Sequence, residues 1–121
     1  MPISRCHAGG YRLLLGLALV IATWFALTPQ PMQMPAVPHA DKWNHLATFL
    51  ILAFLADASW PERAFDPTKW GLLLAYGLAI ELIQMTIDNR FFSLADLLAD
   101  AVGIALYALL ALRVLRAAGI R

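Results

Sequence analysis

This sequence is short of charge. Only 14% of its 121 residues are Asp, Glu, Lys or Arg, whereas an ordinary globular domain carries about a quarter. It is also short of cysteine. The single Cys6 excludes an internal disulfide. It precedes the first apolar run, the wrong side for a bacterial lipoprotein signal, so a silent cytoplasmic thiol is expected. The formal net charge is only +1. With no arginine-rich segment and no basic face, nothing points to nucleic acid as a partner. There is no internal repeat, no low-complexity tract and no nucleophile motif of a hydrolase.

What is present is apolar surface. Hydrophobic residues make up 61% of the chain, and mean hydropathy is positive. A soluble domain this small could not hide so much apolar surface. A bilayer can take it up, since about 20 apolar residues cross the hydrocarbon core. The expectation is an all-α polytopic membrane protein, a small four-helix transmembrane bundle, forming one domain over residues 1–121.

Four apolar runs supply the spans, at approximately 11–28, 43–60, 69–87 and 93–114. The first carries no charge from Leu13 to Leu27. It is long for a signal peptide and no A-x-A cleavage pattern follows, so it is expected to be retained. Between Pro29 and Ala40 four prolines forbid a helix. Asp41 opens the second run. The joint from Pro61 to Pro67 is polar, and Asp57, Glu62 and Asp66 read as solvated there. The turn Asp88-Asn89-Arg90 separates the third and fourth runs. Trp24, Trp43, Trp60, Phe91 and Phe92 read as interface anchors.

Orientation follows from the basic residues. With a cytoplasmic N-terminus, Arg5, Arg12, Arg63, Lys69, Arg113, Arg116 and Arg121 lie inside, and only Lys42 and Arg90 outside. This agrees with the positive-inside rule. The chain is therefore expected in the cytoplasmic (bacterial inner) membrane, multi-pass, with both termini cytoplasmic.

Five of the eight acids then gather at the outer end: Asp41, Glu81, Asp88, Asp96 and Asp100. Asp41 and His45 are i and i+4, one helix face, which Thr48 continues. Glu81, Gln84 and Asp88 form a second face. Asp96, Asp100, Gly103 and Tyr107 form a third. At a rise of 1.5 Å per residue, Glu81 and Asp100 each lie roughly 9 Å below their helix ends. An acid at the centre of a span costs about 3 kcal/mol, so these two facing lipid would cost ~6 kcal/mol. Three polar faces converging on an outward-opening pocket remove that cost. The small stripe Ala95, Ala99 and Gly103 would let a neighbouring helix approach closely. The bland alternative is helix glue, at about 0.6 kcal/mol per contact, with Arg90 paired to an acid, Gln84 bridging helices and Lys42 snorkelling. So many acids exceed what glue requires.

These residues carry a resemblance. DKWNH, from Asp41 to His45, resembles the D-K-x-x-H signature of VanZ-like membrane proteins. ELIQMTIDNRFFSLADLLADAVG, from Glu81 to Gly103, is similar to that family's second signature. The resemblance implies site positions at Asp41, Lys42, His45, Glu81, Gln84, Arg90, Ser93, Asp96 and Gly103. Asp100 stands where the family usually has Asn, which adds a negative charge to the pocket. Tyr107 stands where a second Gly is common, which implies looser or rotated packing of the fourth helix. The family's named member is associated with resistance to teicoplanin, a glycopeptide that binds cell-wall precursor peptides outside the membrane.

Three functions compete. The first is an envelope or antibiotic-resistance factor that binds a cell-wall lipid, precursor or glycopeptide. Arg90 and Lys42 would take an anionic group, and Glu81, Gln84 and Asp96 would hydrogen-bond. The second is an intramembrane enzyme, with His45 as a general base oriented by Asp41, or with Glu81, Asp96 and Asp100 holding a divalent cation. The third is a small proton-coupled transporter, disfavoured because the acids lie on one side only and no broken helix pair marks a midplane site. No cofactor is expected, with a divalent metal left open. Membrane lipid is the expected partner, and homo-oligomerisation is left open.

Overall fold

The computed structural model describes residues 2–28, 40–87 and 92–121, excluding the side chains of Ala40 and Asp41. Among these residues all regular secondary structure is helical. Helix α1 covers Arg5–Leu27, α2 Ala40–Ser59, α3 Pro67–Gln84 and α4 Leu94–Leu106. A π-helical turn, Tyr107–Ala111, carries α4 without a break into α5, Leu112–Ala117. The first helix starts earlier than its apolar run, and the third stops at Gln84, short of Ile87. The proline-rich loop and the turn at Asp88-Asn89-Arg90, with Phe91, lie outside the described residues.

Cross-helix contacts give the topology. Arg12 of α1 reaches Ser59 at the far end of α2, so these two run antiparallel. Thr23 meets Tyr76 and Ala26 meets Gln84, so α1 and α3 run parallel. His45 meets Asp100 and Asp57 meets Tyr107, so α2 and α4 run parallel. The result is an up-down-up-down bundle. Helix α2 is central and packs against α1, α3 and α4. It supplies Phe49, Leu52, Ala53 and Ala56 to a core completed by Leu73, Ile104, Tyr107 and Leu112.

The outside of this bundle is as apolar as its inside. Leu13, Leu14, Leu17, Val20, Ile21, Trp24 and Phe25 of α1 are all exposed, as are Leu94, Leu98, Val102, Leu109, Leu110 and Val114 along α4 to α5. A continuous apolar surface of this kind needs lipid or protein to cover it. Two helical segments, Arg5–Leu27 and Leu94–Ala117, are long and apolar enough to cross a membrane.

At the end where α2 finishes, the joint is solvated at Glu62 and Arg63, as expected, but not at Asp57. Asp57 is fully buried. Its carboxylate accepts from Lys69 Nζ at 2.8 Å and from Arg121 Nη2 and Nε at 2.9 and 3.0 Å. The Tyr107 hydroxyl also donates to it. Lys69 further donates to the carbonyls of Trp60 and Arg63, and Arg121 to those of Pro61 and Arg63. The two cations thus satisfy carbonyls at and beyond the C-terminus of α2, where helical partners run out. Asp66 is half-buried and caps α3. Its carboxylate accepts from the Lys69 amide at 3.2 Å and from Arg63 Nη2 at 2.8 Å, and the Arg63 bond holds its carboxyl below the usual range.

Tyr107 is not loosely packed. It is 1% exposed, and its ring meets Phe65 at 5.0 Å and Phe54 at 6.3 Å between centroids. The adjustment at this position is the π turn, which rotates the helix beyond it.

Candidate functional site

At the opposite end of the bundle, polar side chains from α2, α3 and the start of α4 meet. Local structure prepares each. Ser93 caps α4, its hydroxyl accepting from the Asp96 amide at 3.1 Å, as an N-cap serine should. That cap places Asp96 in the first turn, where the helix dipole favours a carboxylate. Asp100 follows one turn later on the same face and is 1% exposed. Lys42 and His45 sit three residues apart on α2 and present to the same neighbour.

The pairings are close. His45 Nδ1 lies 2.7 Å from Asp100 Oδ1, and Nε2 lies 3.6 Å from Asp96 Oδ2. Lys42 Nζ lies 2.9 Å from Asp96 Oδ1. Glu81 on α3 is completely buried. One of its oxygens, Oε2, accepts the Ser93 amide at 3.0 Å. The other, Oε1, is buried without a hydrogen-bond partner among the described residues. A side-chain ligand atom from each of His45, Glu81 and Asp96 lies within 4.8 Å of the other two.

Two glycines make the cluster fit. A Cβ on Gly103 would run into the backbone carbonyl of Leu46, so α2 and α4 touch here through bare backbone. A Cβ on Gly77 would stand 2.8 Å from Asp100 Oδ2 and 3.2 Å from the Phe49 ring. Sequence reasoning passed over Gly77. It lies four residues before Glu81, hence on the same face one turn deeper, and that spacing was the available signal.

Lys42, His45, Glu81, Ser93, Asp96 and Asp100 are therefore brought together. Gln84 is not. It is 3% exposed, and its amide donates to the Ala26 carbonyl at 2.7 Å, tying α3 to α1. Arg90 and the side chain of Asp41 lie outside the described residues. Of the acids expected to hold a metal, Glu81 and Asp96 face the common space with His45. Asp100 stands behind His45.

An all-helical bundle that is apolar on its surface, polar at two internal sites and equipped with two membrane-length helices fits the class of small membrane proteins. Its sequence matches the VanZ/LLP1 family over residues 12–116, and the chain belongs to that family. Neither a curated protein nor a solved structure matches it.

Proposed function

We propose that this VanZ-like chain is a multi-pass protein of the cytoplasmic membrane, with both termini cytoplasmic. It acts at the outer face through the site built around His45, and serves cell-envelope function or resistance to teicoplanin-type glycopeptides. The observation that carries this reading is Glu81, fully buried with one carboxylate oxygen unpartnered. An unsatisfied buried carboxylate is expensive, and a helix-bridging role would have paired it. Membrane protein function is where such a cost is retained. The excess of Arg and Lys at the other end supports the outward orientation, and lipid or a cell-wall precursor is the partner class.

A second reading is an intramembrane enzyme acting on an envelope lipid or cell-wall precursor. It draws support from the 2.7 Å contact of His45 with Asp100, since a carboxylate holding one imidazole nitrogen leaves the other as a general base.

Teicoplanin susceptibility of a sensitive Gram-positive host tests the first reading. Empty vector, wild type and Glu81→Gln are compared at matched membrane levels. Protection by wild type and its loss in Glu81→Gln are expected. Wild type without protection, despite good expression, contradicts the resistance role.

A further inference from the structure

We propose that His45, Glu81 and Asp96 bind a divalent transition-metal cation, with Asp100 orienting His45 from behind. The proposal deepens the site reading above and rests on it for the use of the cluster, though not for the chemistry of binding.

Four observations converge. The first is proximity, with three ligand atoms from three helices within 4.8 Å of one another. Ligands around a tetrahedral cation at about 2.0–2.2 Å lie roughly 3.3–3.6 Å apart. The His45 Nε2 to Asp96 Oδ2 distance of 3.6 Å is already close to that, and small side-chain rotations close the remainder.

The second is the unpartnered Glu81 oxygen. It belongs to a residue with 0% exposure whose other oxygen is fixed by the Ser93 amide. A free acceptor on a carboxylate held at its other oxygen is a ligand without its ion.

The third is the role of Asp100. Metal-bound histidines almost always use the second ring nitrogen to donate to a carboxylate or carbonyl, which fixes the tautomer. Asp100 Oδ1 does this for His45 Nδ1 at 2.7 Å. The proton is then on Nδ1, and the lone pair of Nε2 faces Asp96 Oδ2. Two acceptors facing each other at 3.6 Å need either a proton or a metal cation between them.

The fourth is charge. Among the described side chains, three carboxylates meet Lys42 and the imidazole. With His45 neutral and all three carboxylates ionised, the excess of two negative charges equals that of one divalent ion. Lys42 Nζ pairs with Asp96 Oδ1 at 2.9 Å, which leaves Oδ2, 3.6 Å from His45 Nε2, for the ion.

An imidazole with two carboxylates favours zinc or manganese over magnesium or calcium, which prefer oxygen alone. Three protein ligands leave at least one position open, as in sites that bind water or substrate.

The experiment is Zn2+ binding by the purified full-length chain in detergent, followed by isothermal titration and by elemental analysis after gel filtration. The affinity tag contains no histidine, and Cys6→Ser, His7→Ala and His39→Ala remove other donors. One Zn2+ per chain is expected, with Mg2+ failing to compete. His45→Ala should weaken binding at least about 100-fold, and Asp100→Asn by about 10–100-fold. Glu62→Gln, on the joint at the far end, should bind as wild type. Circular dichroism confirms that each variant remains helical, and the isosteric Asp100→Asn keeps the test valid should His45→Ala misfold. Absence of stoichiometric Zn2+ binding in a helical wild-type chain overturns the proposal, as does binding that Asp100→Asn and His45→Ala leave intact. Teicoplanin protection without Zn2+ binding removes the metal and leaves the outer-site reading. Zn2+ binding without protection does the reverse.

Discussion

Gly103 lies directly against the backbone carbonyl of Leu46, where α4 and α2 meet without a side chain between them. Leu46 follows His45, and Gly103 comes three residues after Asp100. The contact therefore fixes the spacing across which the His45–Asp100 pair forms. A methyl group at 103 meets backbone on the other side, which cannot rotate away. Gly103→Ala should destabilise the fold by about 1–3 kcal/mol, the cost of overpacking. It should also separate His45 from Asp100. Thermal unfolding in detergent checks the first effect. Loss of teicoplanin protection at matched protein levels checks the second.

Asp57 organises the other end of the bundle. Two cations and a hydroxyl converge on its carboxylate, with Lys69 6% exposed. Asp57→Ala strands both cations, and breaking a buried pair this way costs about 3–5 kcal/mol. Arg121→Gln should cost clearly less, because Lys69 and Tyr107 still hold Asp57. Melting temperatures of the two variants test the order. Equal losses would mean that Arg121, not Lys69, is the principal partner.

Asp66 gives the joint a pH dependence. Its hydrogen bond with Arg63 lowers its carboxyl pKa in the folded state, below the ordinary value of about 3.9. The stabilisation is therefore complete above that ordinary value and fades as pH falls through the lower, folded-state value. The difference in melting temperature between wild type and Asp66→Asn should be constant from pH 7 to 5. It should shrink on acidification below about pH 4. A difference that persists at the lowest pH would show that the N-cap geometry, rather than the charge, is what matters.

The helical architecture was legible because the apolar runs are long and the breaks between them are prolines or short polar joints. The polar faces on α2, α3 and α4 were legible for the same reason, since i, i+4 spacing does not depend on what lies opposite. Partners across helices were not legible. Glu81 and Gln84 share a face by spacing, yet Glu81 turns to α4 and Gln84 to α1. Spacing fixes the stripe, whereas the neighbour is chosen by packing. Asp57 looked solvated because it lies next to a polar joint, and only the turn after α5, at Gly119, brings Arg121 over it. Tyr107, read as a departure from a glycine, fills that same end.

The central claim is that the outer cluster is retained for function at a cost to stability, and Glu81 tests it most directly. Glu81→Gln keeps an acceptor for the Ser93 amide and removes a buried, unpartnered charge. Thermal unfolding of wild type and Glu81→Gln is compared in detergent with a chelator present. The account predicts that Glu81→Gln melts no lower than wild type, and that any shift is upward, since an unpaired buried charge is the costlier group to desolvate. A fall of several degrees would contradict it and make Glu81 a structural tie between α3 and α4.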